Sequence, residues 1–290
     1  MIAAETKQLS KSFGKTKALD DVSVKLARGS VVGLIGLNGS GKTTLLHHFT
    51  GLQIPSSGEC FTFGVPAHKL NADQLGKIGC VFQNQRLLEW MSVDTHLQYI
   101  SRFYAHWDTE LAERLLRDFD LDPKAHVGSL SPGNLQKLAV ICATCHRPEF
   151  LILDEPASAM DPIARKSFLV LLFELLEQEE QTVVISSHTL TEIERIVDHI
   201  ICLDRGKLRE DLPFDSLQEQ FSEWRLSGNT PLELTKEPWV LNCESELGLA
   251  RVVLRAEPAQ QAELAAKYGL KPEARRMNLD EIFPFLIGKA

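Results

Sequence analysis

Gly36-Leu37-Asn38-Gly39-Ser40-Gly41-Lys42-Thr43-Thr44 follows the apolar run Val31 to Ile35 and leads into the apolar stretch Leu45 to Phe49. This is G-x-x-x-x-G-K-[ST] set between a predicted strand and a predicted helix, the context in which that spacing wraps phosphates. Glycines let the backbone curl until successive N–H groups point inward, and the following helix adds the positive end of its dipole. Gly36, Leu37, Asn38, Gly39, Ser40, Gly41 and Thr44 read as the cradle, and Lys42 supplies a point charge for the β- and γ-phosphates. The Thr43 hydroxyl suits Mg²⁺, a hard ion that takes few protein oxygens and keeps waters and phosphate oxygens as its other ligands. The loop alone is equally at home in a kinase, a GTPase or an ATPase.

Outward from the loop, β-branched and apolar segments recur with helical patterns between them: Ile78 to Phe82, Phe150 to Asp154, Thr182 to Ser186 and Ile200 to Leu203. The alternation predicts an α/β fold with a mainly parallel core sheet. Ligands of such sheets bind outside the carboxyl ends of the strands, so the residues just past each run become candidates. Asp154 and Glu155 close one run: Asp154 is placed to hold Mg²⁺ and its water shell, and Glu155 to orient or deprotonate the water attacking a γ-phosphate. In isolation, Asp154-Glu155-Pro156 reads equally well as an acidic turn. His188, after Thr182 to Ser186, is placed to hydrogen-bond the γ-phosphate or the attacking water, and Gln83, after Ile78 to Phe82, falls on the same predicted edge.

The opening segments Ile2 to Leu9 and Leu19 to Leu26 alternate apolar and polar residues, predicting a flanking antiparallel β region. From Asn84 to Gly128 the strand signal gives way to Leu97, Ile100, Phe103, Tyr104, Leu111, Leu115 and Phe119 at helical spacing, predicting an inserted helical subdomain that spans about residues 84 to 148. Prolines and glycines punctuate the chain after Gly206, with a strand-like Ala250 to Ala256 and a helix-like Ala259 to Tyr268. The predicted division is a main domain over residues 1 to 215 and a small α+β extension over 216 to 290.

The chain has 290 residues, 44% of them hydrophobic, and a net charge of −8, which disfavours a nucleic-acid role. No apolar run approaches the roughly 20 residues of a membrane helix, and the N-terminus lacks signal-peptide order, so a cytoplasmic address is expected. The six cysteines fall mostly in apolar segments and read as reduced core residues. Cys142-Ala143-Thr144-Cys145-His146 fits the C-x-x-C-H haem-attachment pattern, yet it lies on an apolar helix of a chain without an export signal and reads as packing.

The phosphate loop, Gln83, Leu130-Ser131-Pro132-Gly133-Asn134, Asp154-Glu155, Ser158-Ala159-Met160-Asp161 and His188 occur in this order, and with them the chain resembles the nucleotide-binding subunits of ATP-binding cassette transporters over about residues 1 to 215. The resemblance implies an ATPase that binds ATP and Mg²⁺ and drives a separate integral membrane permease. It also implies that Phe13 stacks on adenine and that Gln83 links metal and water to the permease interface. Two cassettes would pair head to tail, with Ser131, Gly133 and Asn134 closing on the partner's nucleotide and Ser158 and Asp161 reaching towards the opposing phosphate loop.

Pro132 and Asn134 depart from the family's usual L-S-G-G-Q. Pro132 suits the first turn of a helix capped by Ser131, but it removes one N–H from an anion-facing helix end, which predicts slowed or partner-dependent hydrolysis. Trp90, Met91, Tyr99, Phe103, Tyr104 and Trp107 lie where the family receives its membrane subunit, and about half of them are expected to be core. The tail resembles the C-terminal extension of exporter-type cassettes. The other reading is a non-transport cassette protein acting as a switch, disfavoured by the single cassette and the acidic charge.

Overall fold

The computed structural model describes residues 1–83, 85–178, 181–187, 189–227, 231–246 and 249–289. The chain opens with β1 (Ile2–Phe13), β2 (Thr16–Val22) and β3 (Lys25–Ala27), then β4 (Val31–Ile35) and helix α1 (Lys42–Phe49). Next come β5 (Ser57–Thr62), β6 (Val65–Pro66), α2 (Ala72–Leu75) and β7 (Ile78–Val81), then the helices α3 (Val93–Ser101), α4 (Thr109–Asp118) and α5 (Pro132–Thr144). The central part closes with β8 (Phe150–Asp154), α6 (Pro162–Gln178), β9 (Thr182–Ser186), α7 (Leu190–Ile193), β10 (His199–Asp204) and β11 (Lys207–Pro213). The last stretch holds α8 (Phe214–Gln220), β12 (Phe221–Ser227), β13 (Val240–Glu246), β14 (Leu249–Arg255), α9 (Pro258–Lys267), β15 (Glu273–Arg276) and α10 (Leu279–Leu286).

The main sheet runs β11-β10-β4-β9-β8-β7, parallel except for the antiparallel edge strand β11. Every residue of β4, β8 and β9 is buried, as strands covered on both faces require. Alternate side chains feed two separate cores. Val31, Ile35, Leu151 and Leu153 join the apolar cluster with α5 and α6, whereas Val32, Leu34, Phe150 and Ile152 join the one with α1 and the antiparallel strands. The neighbours β4, β9, β8 and β7 end on one edge, so the phosphate loop and the residues after β7, β8 and β9 are set side by side by strand pairing alone.

The flanking region is a five-stranded antiparallel sheet ordered β2-β1-β5-β6, with β3 also paired to β1. Leu19 to Leu26, predicted as one strand, divides: Asp21 takes a positive φ of 56°, and β2 and β3 pair with different stretches of β1. The helical insertion is opened by side-chain caps, Ser92 accepting from Thr95 N at 3.2 Å and Asp108 from Leu111 N at 2.8 Å. Leu97, Leu111, Leu115 and Phe119 are buried there. The aromatic stripe splits as expected. Met91 is buried and Tyr104 stacks on His146 at 3.9 Å, while Trp90 and Phe103 are about 70% exposed. All six cysteines are free thiols, Cys142 and Cys145 are buried as core residues, and burial pushes Cys145 up to about 12.

The C-terminal sheet, β13-β14-β12-β15, is antiparallel throughout. Trp224, Leu226, Val252 and Leu254 form one core with Leu264 of α9, and Phe221, Val253, Met277, Leu279 and Ile282 join the large apolar cluster of the main sheet. Between them Glu223, 1% exposed, accepts hydrogen bonds from Arg251 (2.6 Å) and Arg275 (2.8 Å), and Arg275 also donates to Glu281 of α10 (2.7 Å). Glu194, directly after α7, accepts from Leu279 N and from Gln218 Nε2, both at 3.0 Å, so α10 and α8 are tied to the main sheet's last crossover.

Candidate functional site

The loop from Gly36 to Gly41 bends through backbone conformations that its glycines supply. Gly41 caps α1 with φ 108°, and a Cβ there would lie 2.6 Å from the Ala18 carbonyl, so only glycine fits. Lys42 lies beneath the loop, its Nζ donating to the Gly36 carbonyl at 2.7 Å and to Leu37 at 3.3 Å. Burial is the largest influence on this ammonium and lowers its pKa from the usual lysine range, against the opposing pull of Glu155 and Asp154.

Phe13, Asn38, Gly39, Ser40, Gly41, Lys42, Thr43, Thr44, Gln83, Asp154 and Glu155 line one cleft of about 440 Å³, together with Thr16, Lys17 and Ala18. Thr43 Oγ1 donates to Asp154 Oδ2 at 2.6 Å, joining the loop to the end of β8. Asp154 Oδ1 accepts from Ser186 Oγ at 2.6 Å, and the same Ser186 Oγ accepts from Glu155 N at 2.9 Å. Ser186 thus orients both carboxylate residues from the neighbouring strand. Its hydroxyl was not legible as a site residue, because strand pairing and not local sequence brings Ser186 opposite Asp154. Phe13 is 48% exposed at the tip of the first hairpin, with the Lys11 ammonium 5.2 Å from its ring centroid.

Thr43 and Asp154 offer two hard oxygens side by side in a polar cleft, a donor set that fits magnesium. Among the described residues no trio of His, Cys, Asp or Glu forms a softer metal cage. Gln83 lines the same cleft. His188 lies outside the described residues, between Ser187 and Thr189.

Ser131, Gly133, Asn134 and Asp161 are absent from the lining of this cleft and gather elsewhere. Ser131 caps α5, its Oγ accepting from Asn134 N at 3.3 Å, and Pro132 occupies the first turn as predicted. Gly133 packs so closely on the segment after β8 that a Cβ would lie 2.5 Å from the Ala159 carbonyl. Asp161 pairs with Lys137 at 3.2 Å and caps the start of α6.

A parallel sheet carrying this loop and these strand ends defines a P-loop nucleoside-triphosphatase fold. Residues 19–158 match the ABC transporter family. The chain is 33% identical over 228 residues to the bacitracin transport ATP-binding protein BcrA of Bacillus licheniformis, covering 77% of this chain and 74% of that one. It is 30% identical to a methionine import ATP-binding protein MetN of Mesorhizobium japonicum, over 89% and 67% of the two chains. It is also 30% identical to the Nod factor export ATP-binding protein I of Sinorhizobium fredii, over 99% and 87%. A solved dimeric bacterial ABC transporter cassette superposes with a TM-score of 0.65 at 26% identity, over 73% of this chain and 98% of that one. The chain belongs to the ATP-binding cassette family, as an ATP-hydrolysing subunit of a transporter.

Proposed function

We propose that the cleft between the Gly36 to Thr44 loop and the ends of β7 and β8 holds MgATP, that Glu155 activates the attacking water, and that a second cassette completes the site. The observation that carries this reading is the 2.6 Å contact of Thr43 with Asp154, which sets the loop against the strand end bearing Glu155. The loop's amides and the Lys42 ammonium bind the phosphates, and Phe13 stacks on the adenine. Thr43, Asp154 and Gln83 would hold the magnesium, which would supply charge neutralisation on the phosphate oxygens. The Glu155 carboxylate takes a proton from water as the water oxygen attacks the γ-phosphorus in line and the bond to the β–γ bridging oxygen breaks, giving ADP and phosphate.

Ser131, Gly133, Asn134 and Asp161 serve the partner cassette's nucleotide. They lie together along the start of α5 and the segment before α6 and do not line the chain's own cleft, which supports a head-to-tail pair, as does the likeness to a cassette solved as a dimer. A membrane permease supplies the pathway, placing this subunit on the cytoplasmic face. In support, no helix among the described residues is long and apolar enough to cross a membrane, and Tyr99 and Phe103 form an exposed edge-to-face pair at 5.2 Å close to Trp90 in the chain. Export is the direction we infer, on the strength of the match along nearly the whole chain to an export protein.

Glu155→Gln tests the core of this reading. Phosphate release should fall on the order of 100- to 1,000-fold with ATP affinity retained. Parental turnover in that variant would reassign the base. Co-purification with a multi-span membrane protein tests the partner, and ATP-driven uptake of cargo into inside-out vesicles tests the direction.

A further inference from the structure

Glu155 is a non-glycine residue with φ 52°, in the left-handed region. Such a conformation is costly for a side chain with a Cβ and persists only where its surroundings over-determine it. On the amide side the restraint is β9: Glu155 N donates to Ser186 Oγ at 2.9 Å and to the Ser186 carbonyl at 3.3 Å. On the carbonyl side it comes from α5. Gln136 Nε2 donates to Glu155 O at 2.6 Å and reaches Ser158 Oγ at 3.4 Å, while its Oε1 accepts from Ala159 N at 2.9 Å. One side-chain amide thus bridges both ends of the turn 155–159, which Ser158 Oγ closes from within by donating to Glu155 O at 3.0 Å.

We propose that Gln136 is a positioning residue for hydrolysis: its amide holds the turn after β8 in the shape that presents Glu155, and links that turn to the signature end of α5. This rests on the reading of Glu155 as the base. Gln136 stands one turn beyond Gly133, whose missing Cβ lets α5 lie against the Ala159 carbonyl, and next to Lys137, which pairs with Asp161 at 3.2 Å. Three successive contacts lay the start of α5 along residues 155–161. A shift of the Ser131 to Asn134 end, as a partner's nucleotide docks on it, reaches the Glu155 carbonyl through a single side chain. The cleft carrying a partner's phosphate and the cleft carrying the chain's own base are then mechanically joined inside one subunit.

The test compares Gln136→Leu, which removes donor and acceptor at similar volume, with Gln136→Glu, which keeps an acceptor for Ala159 N but sets a carboxylate against the Glu155 carbonyl. Both are measured in the full chain, in the complex in which it purifies, for kcat, KM for ATP, binding of a fluorescent ATP analogue and thermal unfolding. A misplaced base costs on the order of 10- to 100-fold, so kcat should fall by that factor in both variants. KM, analogue affinity and Tm should stay within about twofold or a few degrees of the parent. Combined with Glu155→Gln, either change should lower kcat no further, because the group it positions is already gone. Parental kcat in Gln136→Leu beside a dead Glu155→Gln overturns the positioning role and leaves the base intact. A parallel loss of analogue binding and Tm overturns it in favour of a structural role, and parental kcat in Glu155→Gln overturns the base assignment itself.

Discussion

The nucleotide cleft and the C-terminal sheet are stabilised in different ways. The cleft is built mostly from backbone, through glycine conformations, amides at the start of α1 and strand ends held in register, with a few short side-chain contacts such as Thr43 to Asp154. The C-terminal sheet is organised around one buried carboxylate, Glu223, whose charge is met by Arg251 and Arg275. Burial alone would raise the Glu223 carboxyl, but the arginine hydrogen bonds outweigh it and hold the group at about 2. Backbone geometry is indifferent to pH, whereas an ion network is not, so the two regions should fail under different conditions.

The largest expected effect breaks the backbone side. Gly41→Ala forces φ 108° on alanine and drives its Cβ to 2.6 Å from the Ala18 carbonyl. Strain of about 1–3 kcal/mol in the loop corresponds to a roughly 5- to 150-fold loss of ATP affinity, measurable by isothermal titration, with near-ultraviolet circular dichroism unchanged. Affinity equal to the parent would show that the loop relaxes and that its geometry is not what binds.

Next in size is the ionic side. Glu223→Gln leaves Arg251 and Arg275 under-compensated, but both are part exposed, so solvent screening holds the cost to about 1 kcal/mol, and it should lower Tm by a few degrees with little change in ATP affinity. The sign of the pH effect follows from the lowered carboxyl. The network's contribution is complete above the ordinary glutamate value near 4.5 and is lost as pH falls from there towards about 2. Acid unfolding of the parent should therefore steepen in that window relative to Glu223→Gln. Identical acid limbs would remove the charge network as the cause.

The smallest effect concerns the proposed junction with a second cassette. Restoring the family's usual residues by Pro132→Gly with Asn134→Gln returns one N–H to the exposed end of α5, and hydrolysis by the assembled complex should rise a few-fold, in line with about 1 kcal/mol for a hydrogen bond. An unchanged rate would dismiss the idea that this end of α5 is short of donors.

The sequence makes some of these parts visible and hides others for physical reasons. β4, β8 and β9 are buried on both faces, so each appears as an unbroken apolar run whose far end locates Gly36, Asp154 and the segment after Ser186. β11 alternates half-buried and exposed residues with five of its seven positions polar, charged or proline, and β15 is Glu273-Ala274-Arg275-Arg276, patterns with no apolar signal to read. Gln136 and Ser186 are ordinary polar residues until tertiary contact places one against the Glu155 carbonyl and the other between Asp154 and the Glu155 amide. The aromatic stripe shows the same limit. Helical spacing marked Tyr104 and Phe103 alike, and only packing separates the ring stacked on His146 from the one facing solvent.

Glu194 accepts the amide at the start of α10 and the Gln218 side chain, and Ile193, Ile196 and Val197 share an apolar cluster with Leu279, Ile282 and Leu286. Helix α10 therefore acts as a keystone for this crossover. As the chain leaves the ribosome, the flank of α7 stays wet until α10 has been made and docks. A chain cut after α9 would keep the phosphate loop and the ends of β7 and β8, yet carry a bare apolar seam along Ile193, Ile196 and Val197.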